Sequence, residues 1–319
     1  MNRGCAMPLL PIFTSLILAG CLGGHQPVRP EVQTRAEKLL DRGIMASNQG
    51  NQAAAEGMFN DALSIAASIE DRQLTLRTLI NQARLYRLAK QFDRAVMAID
   101  TALAAGSETG IEQAELFHEK ALLELALERT ESAEKWARMA IAAESGDQLG
   151  QRLNLLARTM LAGRKLSGLQ ELLNRALSAN RGQNREEEAN SLRMLGIFAR
   201  QMMAFDQAGQ HLSEALEIDK QLAISTKIAA DLEELAINSI QAEKPAQAVA
   251  YLQRVYTVNL GGGRFTNAAD NQLEIASLYS YLGDDINATK ARQEATRLGN
   301  NNSQSSRKPP ATTSPSSRP

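Results

Sequence analysis

Small and bulky apolar residues recur along the chain at the spacing of one helical face. In each copy a small residue is followed four positions later by a bulky one and three positions after that by another small one, as in Ala55, Phe59 and Ala62. Residues three and four apart lie on the same side of a helix, so each copy predicts one amphipathic helix. The copies begin, at intervals of 36 to 40 residues, at Ala55, Ala95, Ala133, Leu169, Ala208, Ala248 and Ala288, of which the third, fourth and seventh are weaker.

Another small residue precedes each copy by twelve positions, and this offset never varies. A constant offset is typical of two helices joined by a short turn of fixed length, and the interval contains turn-favouring residues, such as Lys244-Pro245. The sequence therefore predicts seven helix pairs. The small residues are Gly43, Ala83, Ala121, Ala157, Gly196, Ala236 and Ala276; a large apolar residue lies four positions before each of them except Ala276, where Gln272 takes that place.

This repeat resembles that of the tetratricopeptide repeat (TPR) family. The small residues match the family's Gly/Ala positions in its two helices, and Tyr86 and Tyr279 match its aromatic position in the first helix. The resemblance covers residues 35–299 and implies an all-α fold, a right-handed α-α superhelix in which about seven helix pairs form a TPR-like solenoid. Neither helix could bury its apolar stripe alone, so the pairs are expected to stack. Units are predicted to start near residues 36, 76, 114, 150, 189, 229 and 269.

The composition agrees with a helical core. Hydrophobic residues make up 44% of the 319 residues but aromatic residues only 4%, so Ala and Leu must fill the core at close helix contacts. Between residues 31 and 299 the sole proline is Pro245, so this stretch is almost free of the strongest helix breaker.

The N-terminus predicts export and a lipid anchor. Arg3 is followed by an apolar run at 6–18, which is too short for a permanent membrane span. The sequence Leu18-Ala19-Gly20-Cys21 then resembles the lipobox of bacterial lipoproteins. This implies a signal peptide at 1–20, lipidation of Cys21 and a tether at 21–34. The alternatives are an ordinary signal peptide or a start at Met7.

The same resemblance favours the outer membrane, facing the periplasm, because Leu22 replaces the aspartate that retains such proteins at the inner membrane. At the other end, residues 300–319 are rich in Ser and Pro, carry three basic residues and have no acidic ones. Such a composition cannot form a core, so a disordered tail is predicted there.

Charge and residue types argue against several kinds of chemistry. The array at 31–299 has a net charge of −6, which disfavours nucleic acid as a partner. Both cysteines precede residue 22, and the three histidines, His25, His118 and His211, lack ligand spacing, so no metal site and no cofactor are predicted. Acidic runs such as 186–188 are expected to be solvated helix faces. The segment 261–264 lacks the Lys-Ser/Thr ending of a phosphate loop.

A basic groove is the one predicted site. In the TPR family the first helices line the concave surface, and six arginines occupy such positions where the average basic content predicts about two. Since arginine binds carboxylates through paired hydrogen bonds, the groove is expected to receive an acidic or C-terminal peptide segment. The alternative is that the arginines form ion pairs with nearby glutamates, within a helix or between repeats. The predicted groove residues are Arg77, Arg84, Arg87, His118, Asn154, Arg158, Arg193 and Arg200.

These features predict a membrane-anchored, non-catalytic scaffold or adaptor for protein partners in the bacterial cell envelope. It would assemble an envelope, secretion, pilus or peptidoglycan-enzyme complex, and homo-oligomers are left open. One alternative is an enzyme or glycan-binding protein of the cell wall with a helical superstructure. Another is a cytosolic regulatory TPR protein, if the signal is spurious.

Overall fold

The computed structural model describes residues 30–106 and 110–305, and within these ranges it contains fourteen helices and no strand. Their order is α1 (Glu31–Asn48), α2 (Gln52–Ser68), α3 (Arg72–Leu88), α4 (Phe92–Ala105), α5 (Gly110–Ala126), α6 (Thr130–Ala143), α7 (Leu149–Ala162), α8 (Leu169–Asn180), α9 (Arg185–Gln201), α10 (Phe205–Gln221), α11 (Ser225–Gln241), α12 (Pro245–Gly261), α13 (Phe265–Tyr281) and α14 (Asp285–Ser305). The predicted all-α repeat fold is confirmed. The predicted signal peptide, with Leu18, Ala19 and Gly20, and the predicted lipidation site Cys21 lie outside the described residues.

Odd-numbered and even-numbered helices form seven pairs through the small residues that the sequence repeats. Ala55, Phe59 and Ala62 are all fully buried. A Cβ atom added at Gly43 would lie 2.5 Å from Cε1 of Phe59, and one added at Gly196 would lie 2.5 Å from Cγ of Leu212. In these two pairs the bulky residue of the second helix thus packs onto the glycine of the first, which sets the close approach of the pair.

One backbone turn explains the constant offset of twelve residues. In all seven pairs a residue with a positive φ lies in the turn between the two helices, always five positions before the start of the small-bulky-small copy. An example is Lys90, with a φ of 57°, five positions before Ala95. The next N–H then bonds the carbonyl five residues back, as from Gln91 to Tyr86 at 2.8 Å. This is the Schellman ending of a helix. The seven turn residues are Gly50, Lys90, Glu128, Arg164, Met203, Glu243 and Gly283.

The helix boundaries differ from the prediction at both ends of the array. The first helix begins at Glu31, inside the predicted tether at 21–34, and most first helices start about one turn before the predicted unit starts. Polar capping residues such as Asp71 and Asn184 open these helices and carry no apolar signal. The last helix runs to Ser305, so residues 300–305 of the predicted tail are helical. No proline interrupts them.

First helices form the inner layer of the stack. Neighbouring first helices approach each other closely in the pairs α1/α3, α3/α5, α5/α7, α7/α9 and α9/α11. The backbones of second helices in successive pairs stay farther apart, and side chains bridge them, as between Arg94 and Glu56 and between Tyr256 and Glu294. The array therefore curves toward its first helices, which line the concave side. None of the helices in the described ranges combines the length and the hydrophobicity that a bilayer span requires.

Candidate functional site

A cavity of about 560 Å³ opens on the inner layer between α5, α7 and α9, next to the start of α11. Its lining includes four of the residues predicted for the groove: His118, Asn154, Arg158 and Arg193. The other four, Arg77, Arg84, Arg87 and Arg200, do not line it. The structure thus brings together the middle of the predicted groove and leaves its N-terminal part and Arg200 outside.

Helical spacing aims the lining residues into the cavity. Asn154, Arg158 and Leu161 follow one another on one face of α7, and Asn190, Met194 and Ile197 do so on α9. The walls therefore combine polar groups with apolar side chains on both helices. This mixture is typical of a site that binds a ligand with an apolar part and a few fixed polar contacts.

Arg84 and Arg87 are engaged in ion pairs between repeats. Nε of Arg87 lies 2.5 Å from Oε1 of Glu119, and Nε of Arg84 lies 3.3 Å from Oε2 of the same carboxylate. Arg84 also pairs with Glu115. Since Glu119 is fully buried, the two arginines neutralise it and join α3 to α5. For these residues the ion-pair alternative is confirmed.

Arg193 and Arg200 are also paired. Arg193 contacts two fully buried carboxylates, Asp219 and Asp231. Burial raises the pKa of Asp231 to about 7; Arg193 opposes the rise, and the Asp219 carboxylate adds to it. Arg200 lies 2.7 Å from Glu234 and joins α9 to α11. Neither arginine is available to a ligand unless an ion pair is broken.

Arg152 is a central residue that the sequence analysis missed. It is almost completely buried, and its guanidinium lies 2.7 Å from Glu115 and 3.1 Å from Glu144. Burial alone would raise the pKa of Glu115, but Arg152 and then Arg84 lower it to about 2. The arginine therefore holds two carboxylates at the joint between α5 and α7.

A register position gives the signal that could have found Arg152. In four first helices the residue just before the bulky apolar residue is polar, buried and hydrogen-bonded or ion-paired, whereas Lys38 at this position of α1 is exposed. The polar residues at this position in four first helices are Thr78, Arg152, Ser191 and Asp231.

Arg158 differs from the other cations of the cavity. Lys227 bonds Glu186 at 3.0 Å and Asn190 at 2.8 Å, whereas the guanidinium of Arg158 has no ion pair or hydrogen bond among the described residues. Desolvation and the neighbouring Arg87 lower the pKa of Arg158, and the charges of Glu187 and Glu119 oppose this shift. The guanidinium is thus near carboxylates but has no direct ion pair at the surface of the cavity. Arg77 is likewise exposed and unpaired within the described chain, but it lies outside this cavity.

His118 and Asn154 supply the neutral polar groups. His118 is only 5% exposed, and its Nδ1 atom has no hydrogen-bond partner in the described chain. Burial, followed by the charge of Arg152, lowers the pKa of His118 to about 3, so the imidazole is neutral at neutral pH. The amide of Asn154 donates to the Glu187 carbonyl at 2.8 Å and to its carboxylate at 2.7 Å, and accepts from Ser191 at 2.7 Å.

The lining therefore offers one free cation, one neutral imidazole and an apolar wall. Such a set can bind an anionic group that is attached to an apolar one. Within the described ranges no group of three or more His, Cys, Asp or Glu side chains could hold a metal ion.

Comparisons with known proteins agree with the repeat fold. The family described as "SNAP: Soluble NSF attachment protein" matches residues 158–311, just under half of the chain. A TPR protein from Parabacteroides merdae has 13% identity and a TM-score of 0.51, over 82% of this chain and 99% of that one. The chain has a TPR-like repeat fold.

Two further structures are similar to this TPR-like protein. A Rap protein complexed with competence and sporulation factor has 13% identity and a TM-score of 0.62, over 84% of this chain and 77% of that one. Aspartyl phosphate phosphatase F from Bacillus subtilis has 14% identity and a TM-score of 0.61, over 84% and 71%. At these identities the likeness concerns the fold alone. No curated protein sequence matches the chain.

Proposed function

We propose that this TPR-like protein is a non-catalytic scaffold or adaptor that binds a segment of a partner protein on its inner face. The observation that carries the proposal is the open cavity with a guanidinium at Arg158 that has no ion pair or hydrogen bond among the described residues. The fold supports it, since a Rap protein of similar structure was crystallised in complex with a competence and sporulation factor.

The partner segment is acidic or ends in a free C-terminus. Of the six arginines predicted for the groove, four are held in ion pairs, so attraction of a carboxylate rests on Arg158, with Arg77 further along the array. A single unpaired guanidinium can still bind a carboxylate through two parallel hydrogen bonds.

Arg158→Glu tests this binding in intact cells. Partners are crosslinked chemically, recovered with the full chain and compared with wild type. Recovery of the partner is expected to drop with Arg158→Glu. The matched control is Arg175→Glu, because Arg175 is an exposed arginine on α8 with no partner among the described residues. Undiminished recovery with Arg158→Glu, or an equal loss with the control, rules the site out.

The proposal also places the protein in the bacterial cell envelope, anchored through lipid on Cys21 and facing the periplasm at the outer membrane. The support is the sequence Leu18-Ala19-Gly20-Cys21, which precedes the first helix at Glu31 by ten positions, so the array would stand close to the membrane. Two or more acyl chains would suffice for stable attachment.

Palmitate labelling tests the anchor. Wild type is expected to incorporate label and to fractionate with outer membranes, whereas Cys21→Ser does neither. A wild-type chain that takes up no label and stays in the cytosolic fraction would instead favour the cytosolic regulatory alternative.

A further inference from the structure

The charges that line the cavity on the inner layer favour a free C-terminus of a partner over an acidic segment. Among the described residues lining it, Arg158 is the cation without a partner, while Lys227 and Arg193 are neutralised by carboxylates. The lining also contains a carboxylate of its own, Glu187. A run of acidic side chains would bring several charges to one available cation and would be repelled by Glu187.

The apolar part of the lining also favours a chain end with an apolar last residue over an acidic segment. Leu122, Leu155, Leu161, Met194 and Ile197 form its walls on three helices. An apolar side chain of the ligand would gain free energy by contact with these walls, whereas a second carboxylate there would lose its hydration.

His118 brings no second charge to the lining. Its ring is nine-tenths buried, and its unpartnered Nδ1 atom is itself shielded from solvent. Burial lowers the pKa of the imidazole to about 3, so it is neutral at neutral pH. Arg158 therefore remains the lining's one unpaired cation among the described residues.

We infer that the cavity receives the last residue of a partner chain, an apolar residue whose free carboxylate pairs with Arg158 while its side chain packs against Leu155 and Met194. This inference rests on the proposed function. Of the two partner segments that the proposed function allows, it selects the free C-terminus and rejects the acidic segment. A free aliphatic carboxylate presents the same chemistry, so the experiment must separate it from a chain end.

Fluorescence anisotropy with three pools of labelled, otherwise randomised short peptides tests the inference. One pool ends in leucine with a free carboxylate, the second ends in leucine amide, and the third has an internal run of glutamates and an amidated end. The first pool is expected to bind at least tenfold more tightly than the second, because the carboxylate contributes charge-assisted hydrogen bonds.

The preference is expected to disappear in Arg158→Met, which keeps an unbranched apolar stem but removes the guanidinium, and to persist in the control Arg175→Met. Circular dichroism confirms that both variants are folded. Equal binding of the first two pools, or tighter binding of the glutamate pool, overturns the inference but leaves the proposed function standing. Tight Arg158-dependent binding of sodium octanoate with no binding of the peptides shows a free aliphatic carboxylate and overturns it as well.

If no pool binds, the inference is likewise overturned. The proposed function is then decided separately by partner recovery in cells, because that measurement uses the natural partner and no synthetic peptide.

Discussion

Two buried residues at the site titrate in opposite directions. The pKa of His118 is lowered from 6.5 to about 3, mainly by burial, so below pH 6.5 the unfolded chain binds a proton that the folded chain refuses. The pKa of Asp231 is raised from 3.8 to about 7, again mainly by burial, so between these values the folded chain holds the extra proton. His118 therefore lowers stability as the pH falls from 6.5 toward 3, and Asp231 lowers it as the pH rises from 3.8 through 7.

Single substitutions separate the two effects. Relative to wild type, His118→Gln is expected to lose less stability as the pH falls, and Asp231→Asn is expected to lose less as the pH rises toward 7. Each effect is at most about 1.4 kcal/mol per pH unit. Chemical denaturation at several pH values measures it. Variants whose pH dependence is indistinguishable from that of wild type would show that the residues are not buried in these states.

Two helical glycines with different surroundings predict opposite effects of an alanine substitution on stability. A Cβ at Gly196 would lie 2.5 Å from Cγ of Leu212, whereas one at Gly57 in α2 would meet nothing within 4 Å. Gly196→Ala is therefore expected to destabilise the protein by about 1–3 kcal/mol through overpacking. Gly57→Ala is expected to stabilise it by up to about 1 kcal/mol through helix propensity. Thermal unfolding measures both, and a stabilising Gly196→Ala would contradict the close approach.

At the scale of the helices, buried ion pairs hold neighbouring units together. Arg152→Met leaves the carboxylates of Glu115 and Glu144 without their main cation, which is expected to cost about 3–5 kcal/mol of unfolding free energy. The control is Arg138→Met, which removes an exposed pair with Glu134 inside α6 and is expected to cost less than about 1 kcal/mol. Denaturant titrations compare them. Similar losses in both variants would argue against a joint at Arg152.

A glycine at a turn position with a positive φ is expected to stabilise the protein. Met203 is highly exposed and has a φ of 60°, a conformation that costs a non-glycine residue about 1 kcal/mol. Met203→Gly is therefore expected to raise the unfolding free energy by about 0.5–1 kcal/mol. Gly283→Ala, at the equivalent turn with a φ of 75°, should lower it by a similar amount. Thermal shifts in the same direction for both variants would be inconsistent with one shared turn.

The number of helices and their pairing could be predicted from the sequence because one small-bulky-small pattern recurs at a constant offset. The ends of the helices could not, since caps such as Asp71 are polar and the N-terminal turn carries little of the apolar pattern. The pairing of the groove arginines could not be predicted either. Arg193 reaches Asp219 and Asp231 on two other helices, and the apolar repeat pattern carries no information on which carboxylates of other helices come within reach.

For the whole molecule, the arginines of the inner layer of first helices either form ion pairs between units or remain available to a ligand. The arginines that join α3 to α5 and α9 to α11 are held in ion pairs, whereas Arg158, in the cavity between these two joints, is unpaired among the described residues. A partner segment bound there would touch three successive units at once. The second helices remain on the outside, where their backbones pack against first helices and only side chains, such as Arg94 and Glu56, join one second helix to the next.

Site-specific photocrosslinking in living cells tests the claim that partners bind on this inner layer most directly. A photoreactive amino acid replaces Gln201, which lines the cavity on α9, or Lys135, which is exposed on the second helix α6. The structure predicts a discrete crosslinked product from position 201 that Arg158→Glu abolishes, and none from position 135. The same partner crosslinked from position 135 and not from position 201 would contradict the inner-face site.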